Sequence, residues 1–257
     1  MHHPEVQGAY RNSQNYRGVL REKTMRNFKQ ILSVALLFAF LFSPVLAERG
    51  NFISPDQVDL VKILAPPPAN DSPQTQAEIQ ELIRIQEKRT SQEEAAAQSD
   101  VKMTIFHVAG DVLGPKFTPE NLPIAAKFFE RLGTDEGLIL NYAKDAWNRP
   151  RPFMLSEKVK PCVRQSKSGA YPSGHATYGY LSGIVLANMV PEKKAEIFAR
   201  VDQYGYHRMI GGVHYRSDVE AGRISGTVIA AIMMQNPNFR EEFSKARSEV
   251  RRILELE

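Results

Sequence analysis

The sequence predicts an all-α fold, a single-domain helical bundle, and three observations carry that expectation. No segment shows sustained period-two alternation of apolar and polar residues between turn dipeptides, so no sheet is expected. Helix-start signatures recur along the chain, at Ser72-Pro73, at "SQEE" (91–94), at Thr118-Pro119-Glu120 and at Pro191-Glu192. The 257 residues are 42% apolar, enough for one sizeable core.

Taken in order, the elements begin with a leader. Residues 1–24 are polar and patternless, an extension of uncertain status. From Met25 the chain runs "MRNFKQILSVALLFAFLFSPVLAERG", with Arg26 and Lys29 before an apolar run and small residues at Val45-Leu46-Ala47. That charged, apolar, cleavable order is expected of a secretory signal over 25–47, and the apolar run is too short to predict a stable membrane span. The leader also explains the formal charge of +4: residues 1–47 hold six of the 33 Lys/Arg and two of the 29 Asp/Glu, leaving 27 of each beyond. A neutral body argues against a nucleic-acid partner. One cysteine, Cys162, cannot form an internal disulfide and reads as a small apolar filler.

Residues 48–72 contain three successive prolines and predict an extended arm. The helical domain is expected over 73–257. Its first helix opens at Ser72-Pro73 with Ile79, Leu82 and Ile83 on one face, and a second follows the capping box at Ser91. Thr118 predicts a helix that Gly133 ends, and Thr134-Asp135 a further helix to Trp147. Beyond these come helices from Ser173, from Pro191 to about Ile210, from about Arg216 to Met234, and from Asn238 to about Leu254.

Three clusters could carry chemistry. Lys144 lies near a helix C-terminus, where a cation offsets the dipole, and Arg151 follows between Pro150 and Pro152, which restrict the backbone that aims it. In "YPSGH" (171–175), Ser173 and Gly174 precede a helix, so their N–H groups can face an oxyanion; alternatively Ser173 is a plain cap and His175 a surface residue of the first turn. In "YHRMIGGVHYRSD", Arg208 precedes His214, and Asp218 stands four residues further on. That spacing suits a carboxylate fixing the imidazole tautomer, or a simple helix-surface contact. Together they supply cations for three phosphoryl oxygens, an oriented nucleophile in His214 and a proton donor in His175, the parts of a phosphoryl transfer through a covalent intermediate.

The order Lys-x6-Arg-Pro, Pro-Ser-Gly-His, Arg-x5-His-x3-Asp resembles the signature of the type 2 phosphatidic acid phosphatase superfamily, which includes the vanadium haloperoxidases. Within it, "GAYPSGHA", "GDVLG" (110–114) and "DLVKILAPPP" are similar to blocks of the bacterial secreted class A non-specific acid phosphatases. The resemblance implies a periplasmic or secreted phosphomonoesterase of the superfamily's helical fold, free of metal and other cofactors, with His214 as nucleophile, Asp218 as its orienter and His175 as general acid. Lys144, Arg151, Ser173, Gly174 and Arg208 would hold the phosphoryl oxygens. Small phosphomonoesters are the expected substrates, phosphate or vanadate the expected inhibitory oxyanions, and a homo-oligomer the expected assembly.

The chain departs from the family pattern at His207, where the family has Ser, and at Ala170 and Ala176, where it has hydroxyls. A second imidazole beside Arg208 is expected to repel it when protonated. Rival readings are a lipid phosphate phosphatase of the same superfamily, a haloperoxidase, and a non-catalytic oxyanion-binding protein. The apolar run at 178–190 is interrupted by Ser182, Gly183 and Asn188, which suits a core helix better than a span.

Overall fold

The computed structural model describes residues 50–256, and both the leader at 25–47 and the extension at 1–24 lie outside the described residues. Among the described residues there is no strand. The helices are α1 (Leu60–Ile63), α2 (Pro73–Lys88), α3 (Ser91–Ser99), α4 (Ile105–Leu113), α5 (Pro123–Trp147), α6 (Pro152–Leu155), α7 (Gly174–Met189), α8 (Lys194–Ile210), α9 (Arg216–Met233) and α10 (Pro237–Ile253), with a 3-10 turn at Pro191–Lys193.

Helix α7 is the centre. It packs against α8, α9 and α5, and it buries residues on every side rather than along one stripe. Close approach to α9 rests on two glycines. A Cβ at Gly222 would lie 2.7 Å from the Ser173 carbonyl oxygen, and one at Gly226 2.5 Å from that of Thr177, so only glycine lets the two backbones meet. Ala176 belongs to the same contact, since the Gly222 Cβ would come within 2.7 Å of its methyl.

The structure differs from the expected elements at six places. The arm is not wholly extended, because Asp59 accepts the N–H groups of Val61 and Lys62 and starts the single turn α1. The α3 capping box is built on Thr90 rather than Ser91: the Thr90 hydroxyl accepts from Glu93 N–H, and the Glu93 carboxylate accepts from Thr90 N–H. Helix α4 was not foreseen, although Thr104 caps it and Gly114, at φ +83°, ends it. Helix α5 begins at Pro123, not Thr118. Proline disfavours helical backbone at Leu122 before it, and the first N–H groups, of Ile124 and Ala125, are taken by the Glu249 carboxylate from α10.

Finally, Gly133 does not end that helix. Thr134 and Asp135, read as a new start, are interior to it: the Thr134 hydroxyl donates back to the Glu130 carbonyl. The buried Asp135 carboxylate accepts the N–H groups of Asn51, Phe52 and Ile53, at 2.6, 2.7 and 3.1 Å. The side chain that looked like a local cap is instead the clasp that holds the amino-terminal arm on the bundle. Helix α10 likewise starts at Pro237, one residue ahead of expectation, with Asn236 as its cap.

Candidate active site

Six segments converge on one cavity of about 610 Å³: Val101 with Met103, the second half of α5, Arg151, residues 164–168, the start of α7, and Arg208 with His214 around the α8–α9 junction. Lys144, Arg151, Gly174, His175, Arg208 and His214 all line it, so the structure brings together six of the eight residues singled out from sequence. The other two, Ser173 and Asp218, stand directly behind that wall and are fully buried.

Lys144 is 5% exposed and therefore no ordinary surface lysine at a helix end. Its Nζ donates to the Gly169 carbonyl at 2.7 Å, and burial together with Arg151 brings its pKa down to about 8. Arg151 sits at the mouth of α6, where Pro152 occupies the first helical position. Its Nε donates to the Ser168 carbonyl and its Nη1 to the Val213 carbonyl, each at 3.0 Å. The same Nη1 lies 3.2 Å from His214 Nε2. The carbonyls of Ser168 and Gly169, to which the sequence assigns no role, thus aim both cations.

His214 is buried between two partners of opposite kind. Nδ1 lies 3.2 Å from the Asp218 carboxylate and Nε2 faces the Arg151 donor, so Nδ1 carries the hydrogen and Nε2 keeps its lone pair. Burial first, then Arg151 and Lys144, hold its pKa well below the ordinary imidazole value. A neutral imidazole with a free Nε2 lone pair is a competent nucleophile.

Asp218 also accepts the Tyr215 N–H at 2.9 Å, which caps α9 and locks the carboxylate in place. Its second oxygen takes a bond the sequence reading missed, from Arg149 Nη1 at 2.6 Å. Arg149 is 2% exposed, lies over the Tyr215 ring with 4.0 Å to the centroid, and reaches Glu78 of α2 at 3.0 Å. Glu78 in turn accepts from the Ser217 N–H and hydroxyl. Burial pushes the Asp218 carboxyl up to about 6, against the opposing pull of Arg149.

At the mouth of α7 the structure corrects one expectation. Ser173 does not offer a free N–H, because that group donates to the Asp218 carbonyl at 2.9 Å. Its hydroxyl oxygen faces the Ala176 N–H at 3.5 Å as helix cap, which leaves only the hydroxyl hydrogen for an anion. Gly174 and His175 are then the first-turn residues whose N–H groups lack an intrahelical partner. His175 is half-buried rather than a surface residue. Its Nε2 lies 3.3 Å from the Val101 carbonyl, and burial and Arg208 lower its pKa to about 3.

Arg208 carries the strongest capacity for an anion: its Nε and Nη1 are buried without a hydrogen-bond partner. His207, expected to repel Arg208 when protonated, has a partner of its own. That imidazole turns to Asp100, with Nδ1 at 2.7 Å, and Asp100 is also gripped by Arg200 at 2.6 and 3.0 Å and by His107 at 2.9 Å. Burial would raise the Asp100 carboxyl, but the bonds from His207 and Arg200 outweigh it and hold it well below the carboxylate range.

A family model described as the PAP2 superfamily matches residues 133–242, the span that holds every site residue from Lys144 to Asp218. The chain is 33% identical over 208 residues to a non-specific acid phosphatase of Salmonella typhimurium, covering 77% of this chain and 83% of that protein. It is 30% identical over 248 residues to a non-specific acid phosphatase of Providencia stuartii, covering 88% and 99%. In fold it is similar to a bacterial vanadium-dependent iodoperoxidase, with a TM-score of 0.51 at 18% identity over 66% of this chain and 52% of the other. Identity at this level across nearly the whole of the phosphatase chains, with the cavity's residues inside the matched span, settles membership: the chain belongs to the PAP2 superfamily and, within it, to the bacterial class A non-specific acid phosphatases, and is a phosphatase.

Proposed function

We propose that this phosphatase hydrolyses phosphomonoesters through a phosphohistidine on His214, without a metal ion. The observation that carries the reading is a neutral, oriented His214 among three buried cations, one of which, Arg208, has unpaired donors. The phosphoryl oxygens are held by Lys144, Arg151, Arg208, the N–H groups of Gly174 and His175, and the Ser173 hydroxyl. Arg151 leaves the His214 Nε2 for a phosphoryl oxygen, and the freed lone pair attacks phosphorus in line with the ester oxygen. The P–O bond to the alcohol breaks as the new N–P bond forms, and the alcohol oxygen takes a proton from His175.

His175 is neutral in the free enzyme, but the negative charge of the substrate offsets Arg208 and raises its pKa in the complex. Asp218 balances the positive charge of the phosphorylated ring. Water then attacks phosphorus, with His175 as its base, and the N–P bond breaks to return the lone pair to Nε2. The donor chemistry supports metal independence: a divalent cation placed among these residues would face Lys144, Arg151 and Arg208, with a single carboxyl, Glu136, in the wall.

Release of inorganic phosphate from an aryl phosphate is therefore expected to be unchanged by EDTA and blocked by vanadate, with phosphate release as the readout. Loss of turnover in EDTA that added metal restores would refute the mechanism. Export to the periplasm or medium belongs to the same proposal, supported by the charged, apolar, cleavable order at 25–47, and so does self-association, supported by the family resemblance alone. Among the described residues no helix is long and apolar enough to cross a membrane.

A further inference from the structure

A second cavity, of about 520 Å³, adjoins the first and shares Met103 and Glu136 with it. Its wall is largely apolar, formed by Ile105, Phe106, Phe129 and Tyr178 along with Met103. Two further facts place it on the side from which the alcohol departs. His175 touches the Val101 carbonyl, and the segment from Val101 to Thr104 runs from that histidine to the second cavity. On this segment Val101 and Met103 are large apolar side chains left 41% and 39% exposed, an unusual cost at the rim of an anion site.

Glu136 stands at the junction. It is 3% exposed, and its Oε1 is buried without a hydrogen-bond partner. Burial pushes its carboxyl up to about 8, against the pull of Lys144, so at acid and neutral pH it is uncharged and does not repel a phosphoryl group.

We propose that this apolar cavity is the leaving-group subsite and that it selects phosphomonoesters of apolar alcohols, with the unpaired Glu136 carboxyl meeting a polar atom where the alcohol joins the phosphate. The inference rests on the phosphatase reading above. Its test measures binding as well as turnover, so the two can fail separately. The probes are 2-naphthylmethylphosphonate and methylphosphonate, which share a phosphoryl head and resist hydrolysis, titrated calorimetrically into the full chain.

The naphthyl compound is expected to bind about tenfold tighter or more, by the apolar area it removes from water. Ala126→Phe, which fills the cavity from the half-buried face of α5, is expected to abolish that preference and leave methylphosphonate binding and hydrolysis of glycerol phosphate unchanged. A thermal melt within a few degrees of the parent shows that the variant has folded. Equal affinities in the parent, a preference that survives Ala126→Phe, or an equal weakening of both ligands would each overturn the subsite. Tight naphthyl binding without hydrolysis of any phosphomonoester would keep the subsite and remove the phosphatase mechanism.

Discussion

His214→Ala is expected to lower kcat/KM for an aryl phosphate by about 10⁴-fold or more, the scale seen when the nucleophile of a coupled catalytic set is removed. The reason is local. His214 is the residue whose lone pair faces the cavity in a fixed tautomer, and no cysteine or serine hydroxyl in the cavity wall is paired with a base. Vanadate affinity should fall far less, because Lys144, Arg151 and Arg208 remain to hold the anion. A variant that kept activity within tenfold of the parent, with an unchanged circular dichroism spectrum, would transfer the nucleophile's role to another group.

The second large effect belongs to Arg149, which positions the dyad without touching the cavity. Arg149→Met leaves Asp218 and Glu78 as buried carboxylates without their cation, and breaking such a pair costs about 3–5 kcal/mol of stability. Activity should fall about a hundredfold, since a displaced Asp218 no longer fixes the His214 tautomer. The pH profile separates this from mere loosening. Asp218 must be ionised to orient and balance His214, and burial raises its pKa against the pull of Arg149, so activity is present above the Asp218 pKa and lost as pH falls through it.

Removing a cation 2.6 Å away raises that pKa further, so the acid limb of kcat/KM should move to higher pH by about one unit or more. Arg149→Lys, which keeps a charge but reaches one carboxylate rather than two, should fold better and show a smaller shift in the same direction. An unmoved acid limb in both variants would show that Arg149 serves the fold alone.

Much of the grouping of this candidate site is legible in the sequence. Lys144, Arg151, Arg208, His175 and His214 carry their chemistry in residue type and spacing, and the prolines and glycines beside them mark where the backbone is constrained. What could not be read is what depends on distant segments. Arg149 looks like one more basic residue in "NRPRPF" until α2 brings Glu78 against it, 71 residues away in sequence. Glu136 reads as a polar residue of a helix face until burial strips it of partners.

The same physics explains the misplaced helix start. Thr134-Asp135 has the composition of a cap, but the arm competes for the Asp135 carboxylate and the 25-residue α5 runs straight through. His207 shows the reverse case. A departure from the family pattern reads as disruptive in sequence because Asp100, which receives it, lies 107 residues away.

A covalent phosphohistidine on His214 can be trapped chemically. The direct measurement is a rapid quench of the parent enzyme, caught with excess labelled aryl phosphate and digested under alkaline conditions that preserve phosphoramidates. The expected result is label on the peptide containing His214, stable to alkali and lost in acid, absent in His214→Ala and discharged by water as inorganic phosphate. Turnover at full rate with no labelled histidine, or label on any other residue, would rule out a phosphohistidine on His214.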